Sequence, residues 1–253
     1  EYTPLLNKIK MSMLKNIRIV LIETSHSGNI GSTARAMKTM GLTDLVLVAP
    51  QQGVDDQAIA LAAGAEDVAK SAVIVENFSQ AVADCSLVIG TSARLRHLQN
   101  SLIEPRECGE KAINHAMSGK VAIVFGRERV GLTNEELLKC HYHVTIPTNP
   151  DYASLNLAMA VQLISYEIRM AYLATQREEN QTMTQTQPDM YPKMQELEYF
   201  FTRTEQLYQS LGFIQNQGVM QKLRRLYGRA EVEKTELHIL LGMLSAVEKK
   251  LKS

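Results

Sequence analysis

The sequence predicts an α/β fold in which a mostly parallel sheet is flanked by helices, followed by a small all-helical C-terminal extension. From residue 16 to about residue 175, short runs of leucine and β-branched residues alternate with helical patterns. This alternation is typical of parallel sheets built from β–α–β units. Beyond residue 192 only helical spacing is present. With 253 residues, 45% of them hydrophobic, the chain can bury a substantial core.

Six apolar runs are candidate strands, and six helical stretches lie between or after them. The predicted strands are residues 17–22, 44–48, 72–75, 86–90, 121–125 and 142–146. The predicted helices are residues 32–40, 58–64, 79–83, 107–117, 134–139 and 155–173. Thr133 and Glu136 have the spacing of a capping box, which predicts that a helix starts there.

A polar segment divides the chain into two parts. Residues 177–192 read REENQTMTQTQPDMYP, a composition that cannot bury a core. We therefore predict a main domain over residues 15–175, a flexible linker over residues 176–192 and a helical RNA-binding extension over residues 193–253. The main domain is expected to fold without the extension.

Charge and cysteine content restrict the partners and the compartment. Lysine and arginine together number 27, as do aspartate and glutamate, so any RNA site must come from local clusters of basic residues. The three cysteines contain no CxxC pair, and no apolar run is long enough to cross a bilayer. We expect a cytoplasmic protein that binds neither membrane nor DNA. Cys140, His141 and His143 have no evident fourth ligand, so no metal is expected.

Three loops that follow predicted strands carry unusual polar residues, at the sheet edge where open α/β folds bind ligands. In the first, Gly28 and Gly31 precede the predicted helix 32–40, whose free N–H groups would bind an anion. Arg35 lies one turn later, where it could project over the loop. The spacing is not GxGxxG, which argues against a dinucleotide site. The alternative is an ordinary turn with a solvated arginine.

The second and third loops leave similar alternatives open. In the second, FGRERVGLT, two arginines and a glutamate lie between two glycines, which fits either a polar ligand or a salt-bridged loop. In the third, Ser154 is a good N-cap for the helix that follows, and Asn156 lies in its first turn. There the alternative is a capped helix with an exposed asparagine.

Taken together, the three loops resemble the three sequence motifs of the SpoU/TrmH branch of the SPOUT methyltransferases. The matching stretches are NIGSTARAMKTMG, GTSAR, VFGRERVGLTNEEL and YASLNLAMAVQ. The resemblance implies a C-terminal trefoil knot, a homodimer and S-adenosyl-L-methionine as cofactor. It is strongest to bacterial enzymes that methylate the ribose 2′-OH of cytidine or uridine at position 32 of the tRNA anticodon loop, and tRNA is therefore the implied substrate.

The resemblance also implies roles for individual residues. The catalytic residues would be Arg35, Glu128 and Asn156. The cofactor would contact Thr91, Ser92, Ala93, Gly126, Ile146, Ser154 and Leu155. RNA would be bound by Arg94, Arg96 and Arg127, and by a basic cluster in the extension that comprises Lys222, Arg224, Arg225 and Arg229. A charge cluster of this kind on a helix is alternatively a solvated face.

Three other functions compete with this interpretation. The first is a SPOUT enzyme that acts on the tRNA wobble nucleotide or on a ribosomal RNA loop; the helical extension argues against the short wobble enzymes. The second is a catalytically silent RNA-binding module, which the presence of Arg35, Glu128 and Asn156 argues against. The third is a nicotinamide dehydrogenase, which the missing GxGxxG disfavours.

Overall fold

The computed structural model describes residues 13–92, 102–179 and 190–251. Its strands are β1 (Ile17–Ile22), β2 (Asp44–Val48), β3 (Val73–Val75), β4 (Cys85–Thr91), β5 (Leu102–Ile103), β6 (Lys120–Phe125) and β7 (Tyr142–Val144). They form one sheet in the order β3-β2-β1-β6-β4-β7-β5, and neighbouring strands are parallel throughout. The predicted α/β class is therefore confirmed, and each predicted strand is present with its ends within two residues.

Helices cover both faces of the sheet. They are α1 (Ser27–Thr39), α2 (Asp56–Ala62), α3 (Glu66–Lys70), α4 (Phe78–Val82), α5 (Pro105–Ala116), α6 (Asn134–Leu138), α7 (Leu157–Glu179), α8 (Met194–Ser210), α9 (Gln217–Ala230) and α10 (Lys234–Leu251). The capping box of Thr133 and Glu136 is formed as predicted. The sequence analysis missed α3 and β5, which are too short to show a period. None of the described helices has the length and apolar character needed to cross a bilayer.

The first helix begins earlier than predicted. It starts at Ser27 instead of residue 32, so Gly28 and Gly31 lie inside α1 and do not form a turn ahead of it. Gly31 serves close packing: a Cβ atom at this position would lie 1.9 Å from the backbone oxygen of Ala58 in α2. The glycine therefore lets the backbones of two helices come into contact.

The helical extension is part of the main core. One face of the sheet packs against α1, α5 and α7, whereas the other packs against α8, α9 and α10. Sheet residues Val20, Val88 and Val124 belong to the same buried cluster as Leu197 and Phe200 of α8. Removal of α8–α10 would expose this apolar face to solvent. That the main domain folds without the extension stays a prediction.

The boundary of the predicted linker also differs from the structure. Helix α7 continues to Glu179, so the linker cannot start at residue 176. Residues 180–189 of the predicted linker lie outside the described residues.

The order of the strands shows how the C-terminal part of the main domain is interleaved with the rest. Strand β6 lies between β1 and β4, although β4 precedes β6 in the chain. Helix α7 then returns to pack on α1 and α5, and a Cβ atom at Gly109 of α5 would lie 2.5 Å from the Glu167 oxygen of α7. This arrangement is consistent with the trefoil knot that the family resemblance implies, which stays a prediction.

We expect Gly31→Ala to destabilise the protein by about 2–3 kcal/mol, because the added methyl group overlaps the α2 backbone. Equilibrium urea unfolding measures the effect. Gly242→Ala in α10 is the matched control, because a Cβ atom there meets nothing within 4 Å. Helix propensity alone should make this control more stable by up to about 1 kcal/mol. Equal stability of the two variants would contradict the packing role of Gly31.

Candidate active site at the carboxyl end of the sheet

The three polar loops meet at one edge of the sheet. They follow β1, β6 and β7, and these strands run parallel with β4 between β6 and β7. Because parallel strands end at the same side, their loops gather at the carboxyl edge, which is where open α/β sheets bind ligands. The predicted site residues on these loops therefore lie in one region of the molecule.

Glu128 caps the N-terminus of α1. Its carboxylate accepts hydrogen bonds from the backbone N–H of Ser25 at 3.1 and 3.2 Å and of His26 at 3.4 Å. The Asn29 side chain donates a fourth, at 3.1 Å. His26, the N-cap residue, makes no capping bond with its own side chain. The anion predicted to bind at this helix N-terminus is thus the carboxylate of the protein's own second loop.

These contacts also keep Glu128 ionised. Burial opposes ionisation and is the largest single effect on its pKa. The hydrogen bonds from its own backbone, Asn29, Ser25 and His26 together outweigh burial, so the pKa is lowered below 4.5. A negative charge at this position is therefore present throughout the neutral pH range.

Asn29 connects the first loop to the third. Its side-chain oxygen accepts a hydrogen bond of 3.0 Å from the Asn156 amide. Asn156 in turn accepts one of 2.9 Å from the Ala158 N–H, which caps α7. The series Glu128–Asn29–Asn156 therefore joins all three loops. Asn29 was not among the predicted site residues, although its place in the NIG stretch of the first motif was a signal.

The predicted N-cap at Ser154 is wrong. Helix α7 begins at Leu157, and Asn156 caps it. Ser154 is exposed and lies before the helix, next to the half-buried Leu155. An asparagine side chain satisfies a helix N–H as well as a serine does, and Asn156 is also held by Asn29.

Arg127 stabilises the second loop through hydrogen bonds and ion pairs. Its guanidinium makes five hydrogen bonds: two to Glu23 at 2.6 and 2.8 Å, two to Glu136 at 3.1 Å, and one to the Gly131 carbonyl at 3.4 Å. Since an arginine side chain has five N–H donors, none is left for a substrate. The predicted contact of Arg127 with RNA is therefore replaced by a salt-bridged support for the loop.

Four of the predicted cofactor residues lie at or just after the ends of three neighbouring strands: Thr91, Ser92, Gly126 and Ile146. Thr91 ends β4, where its hydroxyl donates to the Val124 carbonyl at 3.0 Å, and the Ser92 N–H donates to the Val144 carbonyl at 2.9 Å. Gly126 follows β6, and a Cβ atom there would lie 2.1 Å from the carbonyl carbon of Gly131. Ile146 follows β7 and packs against the core. The predicted residues Ala93, Arg94 and Arg96 lie outside the described residues.

Arg35 lies on the outer face of α1, two turns after the helix begins. Its side chain is exposed and has no hydrogen bond or ion pair with any described residue. Because the helix starts at Ser27, Arg35 lies inside α1 and not one turn after a loop glycine, and its projection over the first loop stays a prediction. The exposed side chain is available to a molecule that approaches from outside.

Comparison with known proteins identifies the family. The sequence model of the SpoU rRNA Methylase family matches residues 16–166, and that of the TrmJ C-terminal domain of tRNA methyltransferases matches residues 195–253. The chain belongs to the SpoU methylase family. It is 59% identical over 240 residues to the tRNA (cytidine/uridine-2′-O-)-methyltransferase TrmJ of Photorhabdus laumondii, which covers 94% of this chain and 98% of that protein.

Other relatives of this SpoU methylase extend the similarity to solved structures. An uncharacterized tRNA/rRNA methyltransferase of Haemophilus influenzae is 69% identical over 239 residues, covering 94% of this chain and 97% of its own. The solved structure of a probable methylase family protein from the same organism is 68% identical, with a TM-score of 0.63. The match covers 94% of this chain and 98% of that chain. The crystal structure of TrmJ from Z. mobilis is 31% identical, with a TM-score of 0.76. The match covers 91% of this chain and 98% of that chain.

The basic cluster in the extension of this SpoU methylase is split between two faces of α9. Lys222, Arg225 and Arg229 are spaced three and four residues apart, so they share one face, which we call the basic face of α9. Arg224 points to the other side. It makes a two-pronged ion pair with Glu198 at 2.6 and 2.8 Å and lies 4.5 Å over the Phe201 ring. The predicted RNA contact of Arg224 is thus replaced by packing within the extension.

Glu128→Gln should destabilise the protein by about 1–3 kcal/mol at pH 7, because an amide satisfies fewer of the N–H donors at α1. Urea unfolding at pH 7 and pH 3 tests this. A carboxyl with a lowered pKa contributes its stability fully above the unfolded value, here 4.5, and loses it as the pH falls towards the folded pKa. The difference between wild type and variant should therefore shrink at pH 3.

Glu135→Gln is the matched control for this substitution. Glu135 pairs with Lys139 at 3.4 Å on the surface, where its side chain is 82% exposed. An exposed pair of this kind contributes at most about 0.5 kcal/mol. If Glu128→Gln costs no more than this control at pH 7, the capping role of Glu128 is refuted.

Proposed function

We propose that this SpoU methylase is a tRNA ribose 2′-O-methyltransferase that uses S-adenosyl-L-methionine to modify the cytidine or uridine at position 32 of the anticodon loop. The observation that carries the proposal is the Glu128–Asn29–Asn156 series, which joins the three family motifs into one site. Relatives at 58–59% identity over nearly the whole chain are named as tRNA (cytidine/uridine-2′-O-)-methyltransferases.

The residues at the carboxyl edge fit the proposed cofactor. Thr91, Ser92, Gly126, Ile146 and Leu155 would hold it, together with Ala93 and Ser154. Gly126 carries no side chain at the point where the second loop folds back on itself, so the loop can close tightly beside the proposed cofactor. Thr145, directly before Ile146, has a buried hydroxyl with no hydrogen-bond partner among the described residues. A ligand at this edge would satisfy it.

The cofactor supplies an activated methyl group on a positively charged sulfur, so the protein's part is to position the ribose and to accept the hydroxyl proton. Arg35 does not accept it, because a guanidinium group has five N–H donors and no acceptor. We assign Arg35 to the phosphate next to the target ribose, which it holds with two hydrogen bonds while the 2′-oxygen is oriented. The proton then passes to the phosphate or to solvent.

The outer face of α7 supports the proposal of a homodimer. Met159, Leu163, Tyr166 and Met170 recur every three or four residues along one stripe, and each is 37–61% exposed. An apolar stripe of this kind on a surface helix is typical of a protein interface. Its charge-free surface suits a second copy of the same stripe, packed about a two-fold axis.

Arg35 borders this stripe. Thr39, one turn after Arg35 on α1, accepts a hydrogen bond of 3.4 Å from Gln162, which precedes Leu163. An exposed arginine beside the dimer face can reach RNA held mainly by the partner subunit. We therefore propose that each active site combines residues of two subunits, and that the enzyme acts on tRNA in the cytoplasm.

The proposed substrate position is tested by methylating unmodified tRNA transcripts with the purified protein and mapping the product by mass spectrometry. We expect one 2′-O-methyl group, at nucleotide 32. The control is a transcript with a 2′-deoxyribose at position 32, which lacks the acceptor oxygen and should remain unmodified. Methylation at the wobble nucleotide or of ribosomal RNA alone would contradict the proposal.

Arg35→Ala should lower turnover by about 100-fold or more while the cofactor affinity stays within about twofold, because the residue contacts RNA and not cofactor. Arg35→Lys keeps the positive charge but loses the planar guanidinium that can bind a phosphate with two hydrogen bonds. Its turnover should therefore be lowered nearly as much. Single-turnover kinetics and calorimetry with S-adenosyl-L-methionine measure the two effects.

Lys38→Ala is the control for Arg35 on the same helix. Lys38 already pairs with Asp67 at 2.9 Å, so its loss should leave turnover near the wild-type value. Near-normal turnover of Arg35→Lys would show that charge alone suffices and that the two-pronged contact is not needed.

A further inference from the structure

Glu231 lies where α9 ends and makes contacts that cross from the extension to the main domain. It is the C-cap residue of α9, in a left-handed conformation with φ of 48°. Its carboxylate accepts a hydrogen bond from the Tyr142 hydroxyl of β7 and lies 3.4 Å from Lys111 Nζ of α5. His115 Nε2, also of α5, lies 3.9 Å away. One side chain of the extension therefore meets three of the main domain.

The same patch of the main domain also holds the start of the extension. The ring of His115 stacks on Tyr191, with ring centroids 4.3 Å apart, and Lys111 Nζ lies 4.5 Å from the centre of the Tyr142 ring. The Lys234 N–H donates to the Met190 carbonyl at 2.9 Å, which joins the start of the extension to the residues that follow Glu231. We call Glu231, Lys111, His115, Tyr142 and Tyr191 the junction cluster.

The neighbours of Glu231 in the junction cluster stabilise its negative charge. His115 is the largest cause that lowers the pKa of Glu231 to about 2, with further contributions from Tyr142 and Lys111, while burial opposes them. The carboxylate is thus charged at neutral pH. The left-handed region is unfavourable for a residue other than glycine, so these contacts hold Glu231 in a conformation that the backbone alone disfavours.

The cluster fixes α9 beside a strand that leads into the site. Tyr142 begins β7, and β7 continues into Thr145 and Ile146 at the carboxyl edge. Burial lowers the pKa of His143 in β7, and the positive charge of Arg225 on α9 adds to this. A Cβ atom at Gly228 would lie 3.7 Å from the His141 Cα.

We infer that Glu231 is a positioning residue for tRNA: through Tyr142 and Lys111 it anchors the C-terminal end of α9 against the start of β7, so that the basic face is held at a set place on the main domain. The inference rests on the proposed function, because it takes tRNA as the ligand of that face. A tRNA that contacts both the basic face and the carboxyl edge binds this protein at two places. If α9 is no longer anchored, the effective concentration of the basic face near a bound tRNA falls, and the combined binding weakens.

The test is steady-state kinetics of the full-length protein with tRNA. Glu231→Ala should raise the KM for tRNA by roughly tenfold and leave kcat within about twofold, because the methyl-transfer site itself is untouched. The affinity for S-adenosyl-L-methionine should not change. Glu248→Ala is the matched control: Glu248 pairs with Arg203 at 2.6 Å inside the extension and should leave the KM unchanged.

A second variant separates positioning from folding. Glu231→Gly removes the carboxylate but relieves the left-handed strain, so the turn after α9 should remain intact. It should raise the KM as much as Glu231→Ala does. Hydrogen exchange should show faster opening of α9 amides in both variants, with the amides of β4 and β6 unaffected.

The outcomes separate this inference from the proposed function. A Lys222→Ala/Arg229→Ala double variant removes two exposed cations of the basic face. If that variant raises the KM and Glu231→Gly does not, the positioning role of Glu231 is overturned while the tRNA-binding role of the extension stands. If the double variant leaves the KM unchanged, the extension does not bind tRNA through this face, and the inference falls with that part of the proposed function.

Discussion

The carboxylate of Glu128 lies where the backbone N–H groups of Ser25 and His26 point out of the N-terminus of α1. A helix N-terminus attracts an anion, and here the anion comes from a loop about 100 residues further along the chain. This contact fixes the second loop against the first, and Asn29 extends it to Asn156 on the third. The site thereby has a defined shape before any ligand binds, which lowers the entropy cost of binding.

The charged residues of the second loop act mainly on each other. Arg127 uses all five of its donors on Glu23, Glu136 and Gly131, and Glu128 uses its oxygens on α1. A rigid loop of paired charges can hold backbone groups at fixed positions around a ligand. Arg35, by contrast, is exposed and has no ion pair with a described residue. This agrees with its proposed contact with a substrate phosphate.

The helices of the extension have an apolar face and a basic face. Their apolar side completes the core on one face of the sheet, while α9 presents Lys222 and Arg229 to solvent. Arg224 shows how the two differ, because its ion pair with Glu198 and its contact with Phe201 place it in the packing layer. Substrate-binding residues on a packed element are held more precisely than they would be on a freely moving tail.

The sequence by itself determined the α/β class, the six longer strands and the three loops, because periodicity and turn residues are local properties. It also determined that these loops gather at the carboxyl edge, since parallel strands bring their ends together. Only the tertiary structure decided that Gly31 serves helix packing, that Arg127 and Arg224 are paired internally, and that the extension belongs to the core. These facts depend on partners distant in the chain, such as Ala58, Glu23 and Val124, whose proximity arises only when the whole fold is assembled.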